Sequence, residues 1–190
     1  MDFTKLRTRR SMLTSAPALA TAFTIVKPEL VRGFAPARLK AGLIGCGGRG
    51  TGAVLDAFVG DPAIELHAMG DAFEDKLETS IKNLRERAAK IGAADRIKVE
   101  PDKRFVGFDA FKKVMATDVD VVILATPPGW RPIHFEAAID AGKHVFCEKP
   151  FGVDATGVRK SMAAAKKSVE KKLTVVSGAQ RRSDDAYIKA

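Results

Sequence analysis

The stretch Gly42-Leu43-Ile44-Gly45-Cys46-Gly47-Gly48-Arg49-Gly50 constrains the fold of this 190-residue chain more than any other. An apolar run ends in Gly45-x-Gly47-x-x-Gly50, and an alanine-rich amphipathic segment follows. That is the order strand, tight turn, helix, which lets a pyrophosphate rest against the free N–H groups at a helix start. In this reading Gly45 allows the sharp turn, Gly47 lets the backbone approach the phosphates, and Gly50 lets helix and strand pack closely. The context supports it. A second apolar run, 64–70, ends at Asp71, 26 positions after Gly45. An acid at about that distance is placed to hold the ribose hydroxyls of NAD; the alternative is that Asp71 caps the helix beginning near Glu74.

From position 38 onward, strand and helix signals alternate. Strands are expected over 38–44, 64–69, 97–99, 119–125, 143–147 and 173–177. Helices are expected over 50–59, 73–91, 108–114 and 132–141, and from a cap at Asp154 to 171. In the second helix Leu77, Ile81, Leu84, Ala88 and Ile91 share one face at helical spacing, with Glu and Lys on the other. The nearly unbroken apolar run 119–125 marks a strand covered on both faces. Alternation at this spacing implies right-handed crossovers and an α/β, doubly wound parallel sheet of order 3-2-1-4-5-6.

A net charge of +9 invites a nucleic-acid reading, but its distribution argues against one. The first 37 residues carry +4, leaving +5 over the other 153. The remaining basic residues interleave with acids along helices, as on solvated faces. With one Trp and one Tyr, no basic–aromatic stacking surface is expected. No His/Cys/Asp spacing suggests a metal site.

Residues 1–37 read as an address rather than part of the fold. Thr8-Arg9-Arg10-Ser11-Met12-Leu13 precedes a mildly apolar run through Val26, and Ala35-Pro36-Ala37 offers a small-x-small cleavage site. This pattern resembles a twin-arginine export signal, which carries folded, cofactor-loaded proteins to the periplasm. A plain basic tail is the alternative. Pro17, Thr14 and Thr21 break the run too often for a good membrane span. Cys46 and Cys147 fall at the carboxyl ends of strands with another strand between them. Two strand spacings are about 9–10 Å, beyond the reach of a disulfide, so two free and mostly buried thiols are expected.

Ligands of an open parallel sheet bind outside the carboxyl ends of its strands. Four segments meet there: the glycine turn, Asp71, Ala125-Thr126-Pro127-Pro128-Gly129-Trp130-Arg131-Pro132, and Cys147-Glu148-Lys149-Pro150. Lys149, beside a carboxylate and fixed by a proline, suits acid–base work on a substrate hydroxyl, with burial near a cofactor lowering its pKa. A surface Glu–Lys turn is the other reading. Trp130 and Arg131 either flank a nicotinamide or anion, or close the loop. His134, in the first turn of its helix, either faces the cleft or is structural, while His67 and His144 read as core.

Residues 42–50, Ala125-Thr126-Pro127-Pro128, and Ala141-Gly142-Lys143-His144-Val145-Phe146-Cys147-Glu148-Lys149-Pro150 resemble the glucose–fructose oxidoreductase, inositol dehydrogenase and MocA family. The last motif is the most specific, and the resemblance runs from Arg38 to Arg182. It implies an NAD(P)-dependent oxidoreductase acting on a secondary alcohol of a sugar or cyclitol, with NAD favoured over NADP because Asp71 repels a 2′-phosphate. Arg49 weakens that preference. The implied catalytic residue is Lys149. The implied cofactor contacts are Gly45, Cys46, Gly47, Gly48, Arg49 and Gly50 in the turn, and Asp71 on the ribose. Thr126, Pro127, Trp130, Arg131, His134, Glu148 and Lys149 contribute from the other two segments. Family members are often homo-oligomers, and they continue into a second α/β substrate domain. That domain is expected to be absent from this chain, with 38–182 the dinucleotide-binding domain and 183–190 the start of a crossover. The resemblance also leaves open an NAD-dependent glycosidase, or a truncated non-catalytic NAD-binding module.

Overall fold

A computed structural model describes residues 38–179 together with 188 and 189. Residues 1–37, read as a twin-arginine segment, and all of the expected crossover at 183–190 except 188 and 189 lie outside the described residues.

Six parallel strands form one sheet of order β3-β2-β1-β4-β5-β6, as the alternation of the sequence requires. They are β1 (Leu39–Ile44), β2 (Ile64–Asp71), β3 (Arg104–Val106), β4 (Val121–Leu124), β5 (His144–Cys147) and β6 (Val175–Ser177). The helices between them are α1 (Gly48–Gly60), α2 (Glu74–Lys90), α3 (Ala110–Met115), α4 (Arg131–Asp140) and α5 (Ala155–Glu170). Successive strand residues face opposite sides of a sheet, so each central strand feeds two core layers. Leu43 and Ile123 enter one layer with Val54, Phe58, Leu77 and Leu84 from α1 and α2. Ile44, Val122 and Leu124 enter the other with Val114, Phe135 and Ile139 from α3 and α4. A fully buried Leu, Ile or Phe contributes about 1.5–3 kcal/mol, whereas water and salt screen an exposed ion pair such as Lys113–Asp109. The layers, rather than the surface charges, hold the sheet.

Local chemistry sets the element ends. Asp154 accepts Gly157 N–H at 2.7 Å and caps α5. Glu74 and Asp75 open α2 while Arg87 and Lys90 close it, matching the helix dipole. Pro132 sits in the first turn of α4, where its missing N–H is no loss.

One strand departs from expectation. The alternating triplet Ile97-Lys98-Val99 is not β3. Ile97 makes a single bridge to Leu66, and the chain then enters a short helical turn at Pro101–Lys103. Pro101 has no N–H to continue a ladder. Pairing resumes at Arg104–Val106, opposite Met69–Asp71. Phe105 is therefore a strand residue, and Phe108, expected as the first residue of a helix, lies in the loop after that strand.

Both cysteines are free and buried. Cys46 Sγ donates to Gly70 O and Cys147 Sγ to Glu148 O, each at 3.5 Å. Burial pushes both thiols up, Cys147 to about 12 and Cys46 further. His67 and His144 are half-buried rather than core. His67 pairs with Glu65 at 3.0 Å, and His144 Nδ1 accepts Thr174 N–H at 2.9 Å.

Candidate functional site

The glycine turn links β1 to α1, and each glycine has a separate physical reason to be there. Gly45 has φ +95°, a left-handed conformation, and a Cβ there would sit 2.7 Å from Ala125 C and Thr126 N. At Gly50 a Cβ would lie 2.0 Å from Gly45 O, so strand and helix could not approach as they do. Gly47 is different, since nothing lies within 4 Å of the position its Cβ would take. It is the N-cap residue of α1, which starts at Gly48 rather than at 50 and so brings Arg49 into the first turn. No side chain caps α1, and its first turn holds no acid. The first N–H groups of this helix are thus left for an external anion.

Asp71 ends β2 beside this turn. Its Oδ2 accepts Cys46 N–H at 2.6 Å and its Oδ1 accepts Phe73 N–H at 3.0 Å. The capping alternative does not hold, because the N-cap of α2 is Phe73 and no side chain caps that helix. Asp71 shapes the entry to α2, and it also grips the glycine turn. A carboxylate has about four lone-pair sites, so two remain for sugar hydroxyls.

A cleft of about 500 Å³ opens at the carboxyl ends of β1, β2, β3 and β4. Gly45, Gly47, Asp71, Thr126, Pro127, Trp130, Arg131 and His134 all line it, as do Phe73, Lys76, Phe108 and Phe111. Cys46 and Gly48 face a smaller cleft of about 280 Å³ between α1 and α2. Arg49, Gly50, Glu148 and Lys149 do not line the larger cleft.

Arg131 is buried and closes the loop. Its Nε donates to Thr126 O at 2.7 Å, and its Nη1 donates to Glu148 O at 3.0 Å and Pro150 O at 2.9 Å. Burial pulls this guanidinium below its ordinary value, yet an arginine stays charged. The carbonyls it binds join the Thr-Pro-Pro loop to the segment after β5. His134 is also buried. Its Nδ1 lies 3.0 Å from Thr126 Oγ1, its ring rests 4.3 Å from that of Phe111, and burial lowers its pKa to about 4. It is a neutral ring at neutral pH. Trp130 is half exposed and contacts Phe108 at a centroid distance of 5.9 Å.

Glu148 is 2 % exposed, and its carboxylate accepts Arg49 Nε–H at 2.7 Å. Arg49 also approaches Asp56 at 3.6 Å, so its guanidinium lies between two acids. Lys149, next in sequence, is exposed, so the chain itself does not supply the burial expected for it. The Lys149–Pro150 peptide is cis. Asp71 and Lys149 flank the glycine turn at strand ends three spacings apart, roughly 14 Å.

Sequence reasoning missed Phe73, Lys76, Phe108 and Phe111 as cleft residues. The signal for Phe108 is its place just after a strand and Gly107, which was hidden by assigning β3 to 97–99.

Residues 39–177 match the oxidoreductase family GFO_IDH_MocA, NAD-binding Rossmann fold. The chain belongs to the Gfo/Idh/MocA oxidoreductase family. The uncapped α1, the open backbone at Gly47 and the free lone pairs of Asp71 all fit the family's NAD. Among relatives, this Gfo/Idh/MocA chain is similar to inositol 2-dehydrogenase of Rhodococcus erythropolis, with 39 % identity over 53 % of the chain and 27 % of the relative. It is also similar to a glycosyl hydrolase family 109 protein of Solibacter usitatus, at 34 % identity over 59 % of the chain and 24 % of that protein. A crystal structure of scyllo-inositol dehydrogenase from Lactobacillus casei with bound NAD(H) and scyllo-inositol superposes with TM-score 0.61. There the identity is 25 %, covering 80 % of this chain and 39 % of that one. The chain thus spans about a quarter to two-fifths of the length of these relatives. Among the described residues, no cluster of His, Cys, Asp and Glu could hold a metal, and no helix is long and apolar enough to cross a membrane.

Proposed function

We propose that this chain is the dinucleotide-holding part of an oxidoreductase acting on a secondary alcohol of a cyclitol or sugar, with NAD preferred over NADP. The observation that carries the reading is the 2.6 Å bond from Cys46 N–H to Asp71 Oδ2, which joins the phosphate-facing turn to the ribose-facing acid at the rim of one cleft. When bound, the nicotinamide ring supplies a hydride acceptor at its C4. The N–H groups of the first α1 turn face the pyrophosphate, and Asp71 takes the ribose hydroxyls while repelling a phosphate at the 2′ position. Lys149, on the opposite side of the turn from Asp71, holds the proton of the substrate hydroxyl at its Nζ. The inositol dehydrogenases among the relatives favour a cyclitol substrate.

The similarity to a glycosyl hydrolase family 109 protein supports a second reading, a glycosidase that uses NAD without net redox change. We further propose export by the twin-arginine route, on the strength of Arg9-Arg10 and the small-x-small site at Ala35-Pro36-Ala37.

The test is calorimetric titration of the 190-residue chain with NAD and NADP. Saturable NAD binding that weakens in Asp71→Ala supports the reading, and a folded chain that binds neither dinucleotide overturns it. NADH formed from inositol and lost in Lys149→Ala marks the dehydrogenase. Aglycone released from an aryl glycoside without accumulation of NADH marks the glycosidase. For export, residues 1–37 fused to a reporter active only outside the cytoplasm should lose signal when Arg9 and Arg10 are both changed to Lys.

A further inference from the structure

Among the described residues Lys149 makes no hydrogen bond or ion pair, so its neighbours decide where its amine points. The residue before it is held through backbone and side chain alike. Glu148 N–H donates to Leu124 O at 2.9 Å, its carbonyl accepts Arg131 Nη1–H at 3.0 Å, and its carboxylate accepts Arg49 Nε–H at 2.7 Å. A further contact is steric. Gly178, which follows β6, is buried between exposed Ser177 and Ala179. A Cβ there would lie 2.6 Å from Glu148 Oε1 and 2.9 Å from Oε2. The backbone does not require glycine, because φ at Gly178 lies outside the left-handed region. The space does. A carboxylate ends a flexible side chain and ordinarily swings away from an added methyl group. This one is 2 % exposed, and swinging away would strip it of Arg49. A buried acid without its partner is costly, so the displacement passes into the backbone before Lys149.

We propose that Gly178 is a positioning residue for Lys149: the side-chain space it leaves is filled by the Glu148 carboxylate, which is thereby seated on Arg49 and turns Lys149 toward the dinucleotide. This rests on the role given to Lys149 under Proposed function. Gly178 acts at one remove, since it lines neither cleft. It is itself anchored, its N–H donating to Cys147 O at 2.9 Å, and so presents a fixed wall to the acid. Arg49 pulls the carboxylate from α1, and Gly178 bounds it from the end of β6, the edge strand of the sheet. An added methyl group at 178 and a lost guanidinium at 49 therefore disturb the same carboxylate. A glycine needed only for packing would lower stability when changed and leave the response of Lys149 to NAD as it was. A positioning glycine changes that response although the cofactor still binds.

The full chain, its lysine amines carrying isotope-labelled methyl groups, is followed by NMR, and NAD binding is measured by calorimetry. Lys149→Arg identifies the Lys149 signal. In the parent, NAD is expected to shift that signal. Gly178→Ala should keep NAD affinity within about two-fold of the parent, because the atoms nearest its methyl group all belong to Glu148. It should nonetheless move the Lys149 signal of the free chain and abolish its shift with NAD. With Glu148→Ala already in place the clash is gone, and adding Gly178→Ala should change the signal no further. Should Gly178→Ala alone fail to fold, this pair decides. Folding regained with Glu148→Ala supports the proposal, and folding lost in both backgrounds overturns it. A parent-like NAD shift of Lys149 in folded Gly178→Ala also overturns it, as does an equal effect of the substitution with and without Glu148. A parent that binds NAD and leaves the Lys149 signal unmoved overturns the role of Lys149, and this proposal with it. No NAD heat from a folded parent overturns the cofactor reading on which both stand.

Discussion

Arg49 Nε donates to Glu148 Oε1 at 2.7 Å, joining the first turn of α1 to the residue before Lys149 across 99 positions of sequence. The carboxylate is almost fully buried, whereas the arginine is partly open to water. A charge in that position needs its partner, since a buried ion left alone costs several kcal/mol. Arg131 binds the main-chain oxygen of the same residue. Two arginines from different helices therefore fix the Glu-Lys-Pro segment, one through its side chain and one through its backbone.

Arg49→Met should consequently destabilise the fold by about 2 kcal/mol, below the full penalty for a broken buried pair because water reaches the arginine side. Glu148→Gln keeps an acceptor for Arg49 and should cost less. Urea unfolding midpoints of the two single variants and the double variant check this, and the double should fall short of the sum.

The glycine turn separates folding from binding. Gly50→Ala sets a methyl group 2.0 Å from Gly45 O and should cost about 3 kcal/mol. Gly47→Ala meets nothing within 4 Å, so stability should stay within about 0.5 kcal/mol of the parent. Its methyl group instead occupies the face a phosphate would approach, and NAD affinity should fall about ten-fold. Thermal unfolding and NAD calorimetry on both variants read the contrast directly.

Asp71→Asn removes the negative charge at the end of β2 and retains an acceptor oxygen for only one of the Cys46 and Phe73 N–H groups, which the two carboxylate oxygens now accept separately. NAD should weaken about ten-fold, the scale of a hydrogen bond to a charged group. NADP should weaken less, because the repulsion of its phosphate is relieved. The ratio of the two dissociation constants is the measurement, and an unchanged ratio would remove Asp71 from cofactor choice.

His134 gives the fold an acid limit. Its ordinary pKa is 6.5, and burial lowers it to about 4 in the folded chain. Between those values the unfolded chain holds a proton on this ring that the folded chain does not. The stability contribution is therefore complete above pH 6.5 and is lost as the pH falls to about 4. The loss is at most about 3 kcal/mol. Unfolding free energies at neutral and acidic pH should show a shallower decline in His134→Leu than in the parent chain.

The fold was legible because its signals are local. The turn glycines, the alternating segments and the doubly apolar β4 each announce themselves within a dozen residues. β3 was not legible, since Ile97-Lys98-Val99 has the better strand pattern and only the downstream Pro101 ends it. That error also concealed Phe108. In the site, Asp71 was visible from its distance to Gly45. The burial of Glu148 could not be read, because its partner lies 99 positions away, and loop closure by Arg131 was one of two readings that only its carbonyl partners, up to 19 positions away, decide. A charged residue in a motif looks the same whether water or a distant guanidinium satisfies it.

The two thiols have a use in experiments that their chemistry in the cell would not suggest. Only the thiolate attacks a thiol reagent, so a buried and protonated cysteine reacts only after its surroundings open. Cys46 belongs to the core layer under α1 and α2, and Cys147 to the layer on the other face of the sheet. The molecule thus carries a built-in pair of clocks, one for each face. If both sulfurs become reactive at the same rate, the two layers come apart as one cooperative unit; if one leads, that face of the sheet opens first.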